Sequence, residues 1–163
     1  MDVVIRELKG IEEIATIFPV YTKHNPTMPE ALFRSRLSAM IAQGNYRCIG
    51  AYADERLVGV SGFWTGTFLW CGKYIEPDHV VVDIELRSQG IGAKLLIWIE
   101  AEGRRLGCDT AKIAMMIGRD RAHSFYIRNG YSDDSLQLVK PLSTWADAEF
   151  PEFATHRDTT RSD

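Results

Sequence analysis

The sequence predicts one domain of mixed α/β (α+β) architecture, and three observations lead there. Segments of strand period and segments of helical period succeed one another along most of the chain. Its 163 residues, 45% of them apolar, suit a single domain with a core of its own. A strand ending near Ile84 runs through a short glycine-bearing loop into the clearest helix of the chain.

Val3 to Leu8 reads as an opening strand. Ile11, Ile14, Ala15 and Phe18 fall at helical spacing, so a helix is expected over 11–18. Pro26 and Pro29 interrupt regular structure, a second helix is expected from Glu30 to Gln43, and Gly44-Asn45 stops it. Tyr46–Tyr52 and Leu57–Trp64 read as strands joined at Asp54-Glu55-Arg56, and the aromatic stretch Phe63–Tyr74 extends that hairpin towards a fourth strand, His79–Ile84. In Gly90–Leu106, Gly92, Leu95, Leu96, Ile99, Gly103 and Leu106 share one face. Thr110–Ile117 is expected as a strand, Asp120–Arg128 as a helix stopped by Asn129-Gly130, and Leu136–Leu142 as a final strand. From Ser143 the chain turns polar and acidic, so 143–163 is expected as a partly docked tail after a domain at 1–142.

Composition narrows the function. A net charge of −3 argues against a nucleic-acid binder working by phosphate neutralisation, which leaves a small-molecule partner. Cys48, Cys71 and Cys108 are scattered and odd in number, with no C-x-x-C pair, which fits a reducing compartment and core packing and speaks against a structural zinc site. The amino terminus has no basic region before a long apolar stretch, and the longest purely apolar run is Leu95–Ile99, so no signal peptide and no membrane span are expected and the cytoplasm is the default location.

Chemistry concentrates in Val80 to Ala93. Gly90 and Gly92 let a ligand approach the backbone, the first-turn amides of the following helix have no partner inside it, and the helix dipole adds positive potential: together an anion site suited to phosphate or pyrophosphate. Tight packing alone would also explain two glycines. Neither the dinucleotide fingerprint, excluded by Leu95, nor G-x-x-x-x-G-K-[ST] is present.

Arg87-Ser88-Gln89-Gly90-Ile91-Gly92 resembles the [RQ]-x-x-G-x-[GA] signature of the GCN5-related N-acetyltransferases (GNAT), which binds the pyrophosphate of acetyl-coenzyme A. Downstream, Arg121 to Tyr131 resembles that family's A-x-x-[FL]-Y-x-x-x-G-[FY] segment, and the order of elements over residues 3–142 is similar too. The resemblance implies the GNAT fold: a mixed sheet of about six to seven strands with about four helices, splayed between strands four and five where acetyl-CoA binds.

It also implies roles. Val80, Val81 and Val82 line the splayed strand, offering backbone groups to the pantetheine arm and an amide to the thioester carbonyl. Arg87, Ser88, Gln89, Gly90, Ile91, Gly92 and Ala93 hold the pyrophosphate, mostly through main-chain amides. Tyr126 matches the family tyrosine that protonates the departing thiolate. Arg119 stands where the family often has Asn, so its cofactor contact departs from the pattern. Asp78 is the first candidate for the base that takes the amine's proton, with Glu76 and His79 beside it and an ordered water as the other route.

The expected activity is transfer of an acetyl group from acetyl-CoA, with no metal, to a primary amine of a small molecule or peptide by direct attack in a ternary complex. The alternative on the same fold is a CoA or acyl-CoA sensor without turnover, against which Tyr126 argues. Tyr21, Phe33, Trp64, Phe68, Trp70 and Tyr74 make the acceptor half aromatic, a setting in which a cationic amine can lie over a ring. Dimers are frequent in that family, so a homodimer stays open beside a tail packed on its own domain.

Overall fold

The computed structural model describes residues 2–116 and 118–139. These fall into two compact units, one ending at Ser132 and the other beginning at Asp133. All helices and strands below belong to the first; in the second, residues 133–139 carry neither.

The order of elements is β1 (Val4–Leu8), α1 (Gly10–Ala15), α2 (Phe18–Thr22), α3 (Glu30–Ala42), β2 (Tyr46–Ala53), β3 (Arg56–Phe68), β4 (Gly72–Val82), α4 (Ile91–Arg105), β5 (Thr110–Ala111) and α5 (Asp120–Arg128). The sheet runs β1-β2-β3-β4-β5, antiparallel throughout except for the parallel β4–β5 pair. Ile49, Ala51, Val58, Phe63 and Ile75 of the sheet meet Ile91, Leu95 and Ile99 of α4 in one buried cluster. A Cβ on Gly103 would come within 2.7 Å of the Ile75 side chain, so the bare glycine lets α4 lie close on β4. The alternate residues of β2, Tyr46 and Cys48, are buried as well, because Ile14 of α1, Ile17 between α1 and α2, and Phe33 and Leu37 of α3 supply a second apolar layer.

Four expectations are corrected. The helix expected over 11–18 is interrupted at residues 16–17 and continues as α2, with Pro19 in the first turn, where its missing N–H costs nothing. The fourth strand begins at Gly72 rather than His79 and ends at Val82, since Ile84 lies in a short 3-10 turn, Ile84–Leu86. The strand expected over 110–117 pairs only at Thr110 and Ala111. Leu136 to Val139 of the expected final strand are not in a strand, and 140–142 lie outside the described residues. Five strands are therefore found among the described residues, against the six to seven expected.

Pro77 explains why β4 is hard to read. A proline normally demotes a strand to an edge, and here it sits on one. The Ile75 carbonyl accepts from the Lys112 amide at 3.1 Å, so backbone groups two residues on face the same side, and the N–H that Pro77 lacks would point where β5 no longer pairs. The β4–β5 ladder ends at Ile75–Ala111, leaving residues 76–82 as an open edge among the described residues.

Candidate active site

The open edge of β4 is shaped by a bulge. Val60 pairs with Val81 and Gly62 with Asp78, so one β3 residue, Ser61, faces two on β4. His79 there takes a left-handed φ of 37°, strained for a residue with a side chain. Beyond it the Asp83 amide donates to the Val58 carbonyl at 2.8 Å, which aims the backbone groups of Val81 into the sheet and those of Val80 and Val82 at the edge. Of the three valines, the first and last thus present their main chain to the cleft, while Val81 is paired and buried. The Val82 carbonyl accepts from His24 Nε2 at 2.9 Å.

The loop that follows is tied down from below. Asp83 is 1% exposed; it accepts both oxygens' worth of hydrogen bonds from Lys23 Nζ (2.9 and 2.8 Å) and one from Arg56 (2.5 Å), and its side chain caps the Glu85 amide at 3.3 Å. These cations hold its carboxyl below the ordinary range against the burial that would raise it. Above this anchor, Arg87, Ser88, Gln89 and Gly90 are all exposed. Ser88 and Gly90 have positive φ, 65° and 79°, and Gly90 opens α4 with no side-chain cap. The α4 N-terminus therefore presents its first amides, from Ile91, Gly92 and Ala93, without a capping side chain. A Cβ on Gly90 would meet nothing within 4 Å, so space beside it is open. Open backbone amides, a helix N-terminus and the neighbouring guanidinium of Arg121, whose NH2 donates to Ser88 Oγ at 3.2 Å, suit the pyrophosphate of a coenzyme A thioester. Ile91 itself is buried and packs its side chain in the core.

Helix α5 closes the other side. Gly92 admits the Phe125 ring, and Tyr126 packs edge-on to Phe125 and Tyr131 at ring distances of 5.1 and 5.8 Å. Burial, with a smaller contribution from the Asp78 charge, pushes the Tyr126 phenol up to about 12. Arg119 stands exposed just before α5 and touches Met116 Sδ at 3.9 Å.

Asp78 and His79 sit where β4 faces α1–α3. The Trp64 indole donates to Asp78 Oδ2 at 3.1 Å and His79 Nδ1 lies 3.3 Å from the same oxygen. Burial works to raise Asp78, but the bonds and charge of His79 and the Trp64 bond outweigh it and hold the carboxyl at about 2. Burial likewise disfavours the imidazolium of His79, and the Asp78 partner more than offsets this, raising it to about 9. The Gly62 amide opposes that shift: it donates to His79 Nε2 at 3.2 Å, where the Tyr46 hydroxyl also lies at 3.2 Å. A backbone N–H cannot rotate away, and an imidazolium would set one N–H against another, so geometry favours the neutral ring with its proton on Nδ1. A Cβ on Gly62 would fall 2.6 Å from the His79 ring, so the glycine is what admits it. Glu76 is placed differently: it is ion-paired with Lys112, whose ammonium also lies over the Tyr74 ring at 4.7 Å.

Of the residues expected from the sequence, Gly92 lies against Val82 and against Phe125, next to Tyr126, and the Asp78 charge reaches the Tyr126 phenol; Arg119 stands just before α5 and Glu76 is engaged with Lys112. Sequence reasoning missed His24, which accepts from Arg87 NH2 through Nδ1 at 2.8 Å, and gave no role to Arg121 beside Ser88. A lone histidine 63 positions before its partner carries no local signal.

Among the described residues no helix is long and apolar enough to cross a membrane, and no group of three or more His, Cys, Asp or Glu side chains is arranged to hold a metal ion.

Comparison with known proteins bears on the family and the fold. The aminoalkylphosphonate N-acetyltransferase of Salmonella typhimurium strain LT2 is 31% identical over 111 residues, 68% of this chain and 72% of that protein. Solved structures with the same fold include a ribosomal-protein-alanine N-acetyltransferase from Brucella melitensis biovar Abortus 2308 (TM-score 0.73, 16% identity, 87% of this chain and 100% of that one). Another is the glucosamine-6-phosphate N-acetyltransferase of Arabidopsis thaliana (TM-score 0.68, 18% identity, 88% and 100%). The sequence profile of the acetyltransferase (GNAT) family matches residues 11–131, and with a relative this similar over two thirds of its length the chain belongs to that family of acyl-CoA-dependent acetyltransferases.

Proposed function

We propose that this acetyltransferase moves the acetyl group of acetyl-CoA onto the primary amine of a small molecule, by direct attack in a ternary complex at the open edge of β4. The observation that carries this reading is the Gly92–Phe125 contact, which brings the uncapped start of α4 against the helix that carries the half-buried Tyr126 phenol, beside the unpaired edge of β4. A small amine acceptor also agrees with the activity named for the Salmonella relative.

In this reading the amides of residues 90–93, with Arg121 nearby, hold the pyrophosphate, and Asp83 fixes the loop that carries them. Val80 and Val82 offer main-chain groups to the pantetheine arm, and an amide of this edge polarises the carbonyl. Bound acetyl-CoA supplies a thioester carbonyl and a thiolate leaving group. Tyr126 hands its proton to the departing sulfur. A phenol at about 12 is a weak acid beside a thiol whose ordinary value is about 8.5. The burial that raises the phenol also disfavours a thiolate formed next to it, which narrows that gap.

Asp78, whose Oδ2 is engaged by the Trp64 indole N–H and by His79, is held low as a carboxylate and serves as counter-ion for the incoming ammonium rather than as its base. The amine's proton leaves by the ordered-water route, since placing it on His79 Nε2 would set it against the Gly62 N–H, and Asp78 balances the charge of the incoming ammonium.

The test is thiol release from acetyl-CoA with a panel of small primary amines, with the product followed by mass. Amine-dependent release matched by an acetylated amine is expected. Release that ignores the amine, or none with any amine, would overturn the reading.

A further inference from the structure

A cavity of about 150 Å³ opens between β4 and the helices that follow β1, and its two walls differ in chemistry. On the sheet side stand Asp78 and His79 of β4 and Tyr46 of β2. Asp78 Oδ2 lies 3.3 Å from His79 Nδ1, and the Tyr46 hydroxyl 3.2 Å from His79 Nε2. On the helical side stand Ile17, Tyr21, Met28, Phe33, Leu37 and Met40. Ile17, Met28, Phe33 and Leu37 are buried, and the Tyr21 ring lies 5.5 Å from Phe33 and 5.8 Å from His79, which joins the two walls. Protein interiors leave few voids larger than a water molecule. A hole of this size accommodates benzene, hence roughly six non-hydrogen atoms.

The charges of the lining decide what the rest of a ligand can be. Among the described lining residues Asp78 is the only carboxylate and Arg36 the only guanidinium. Arg36 is half-buried and already engaged within the protein, so an acid group on the ligand would have to displace a partner that Arg36 has. A second cation would find no second carboxylate among these residues, and burying it without one is costly. Asp78 therefore serves one ammonium, and everything attached to that ammonium faces hydrocarbon and rings. The Asp78 charge reaches the Tyr126 phenol, which puts an amine held at Asp78 on the side of the candidate acid.

We propose that the acceptor is a primary amine on a compact, uncharged hydrocarbon body of about five carbons, with its nitrogen at Asp78 and its body in the cavity between α3 and β4. This rests on the N-acetylation reading above and adds what the amine carries. Each methylene moved from water onto such a wall strengthens binding about fourfold, until the cavity is full. A charged end group gives up its hydration there and gains no counter-charge.

The test compares kcat/KM at saturating acetyl-CoA along ethylamine, propylamine, pentylamine and octylamine, together with diaminobutane and aminobutanoate, which carry a charge near where pentylamine ends. In the wild type the value should rise about fourfold per carbon as far as pentylamine and fall again at octylamine. Each charged analogue should trail pentylamine by about tenfold or more. Met40→Trp, which fills the cavity, should move the optimum to the shorter amines, and Met40→Ala, which enlarges it, should narrow the deficit of octylamine. An unchanged rise in Tm on adding acetyl-CoA verifies that the variants fold; where one does not, the wild-type series decides alone. A charged analogue ahead of pentylamine, rates flat in chain length, or an optimum that a folded Met40→Trp leaves in place would overturn the proposal while N-acetylation stands. If acetyl-CoA binds and no amine is acetylated, the N-acetylation reading falls and this inference with it.

Discussion

Gly92 and Phe125 touch at the point where the anion-binding loop meets the helix of the candidate acid: a Cβ at residue 92 would lie 3.2 Å from Phe125 Cζ. Phe125 is next to Tyr126 in sequence and packs against its ring. The glycine that lets a ligand approach α4 therefore also sets how close α5 comes, and one substitution should disturb both binding and chemistry.

Gly92→Trp should accordingly abolish the stabilisation by acetyl-CoA seen in thermal unfolding and cut turnover with any amine. The added side chain would first meet Phe125 of α5 and Val82, so circular dichroism should check that the fold survives the altered α4–α5 contact. A variant that still binds acetyl-CoA normally would contradict the placement of the pyrophosphate at this helix start.

Tyr126→Phe should lower kcat by about a hundredfold or more, the scale of a lost proton donor, with little change in acetyl-CoA affinity. The phenol sits at about 12, so it stays protonated across the working range, and the deficit should be the same from about pH 6 to 9. Steady-state rates over that range check both points; equal kcat in the two proteins would remove Tyr126 as the acid.

The loop and the helix after it were legible in the sequence because their signals are local: Gly90 at a left-handed φ, an apolar stripe at helical spacing, and a tyrosine in a recognisable segment. Elements set by partners rather than by pattern were not. Residues 110–117 look like a strand, yet pairing stops after Ala111, and Pro77 hides a strand that tolerates it only because its edge is open. The helix–strand cavity, His24 and the pairing of Tyr46 with His79 depend on segments dozens of residues apart. The surroundings of Asp78 were not readable either, since Trp64 and His79 are brought to one of its oxygens by the sheet.

Acid should unfold this protein through carboxylates paired in the native state. Glu102, 9% exposed and bonded to Arg47 and Arg105, is held at about 2 by Arg105 first, against burial that would raise it, with Arg47 adding to the effect. Because the folded value lies below the unfolded one, its stabilisation is complete above about pH 5 and fades as pH falls towards 2. Glu102→Gln should therefore lower Tm clearly at pH 7 and hardly at all near pH 2, as thermal melts across pH will show. A gap that stays constant down to pH 2 would mean the ion pairs contribute little.

The central claim, that the open β4 edge and the α4 N-terminus hold acetyl-CoA, is tested most directly by thermal unfolding with and without that ligand. At about a hundred times its Kd a ligand adds about 2.7 kcal/mol, which for a chain of this size raises Tm by roughly 5–10 °C. A rise of that order is the predicted result. An unchanged Tm at saturating acetyl-CoA would contradict the account at its base.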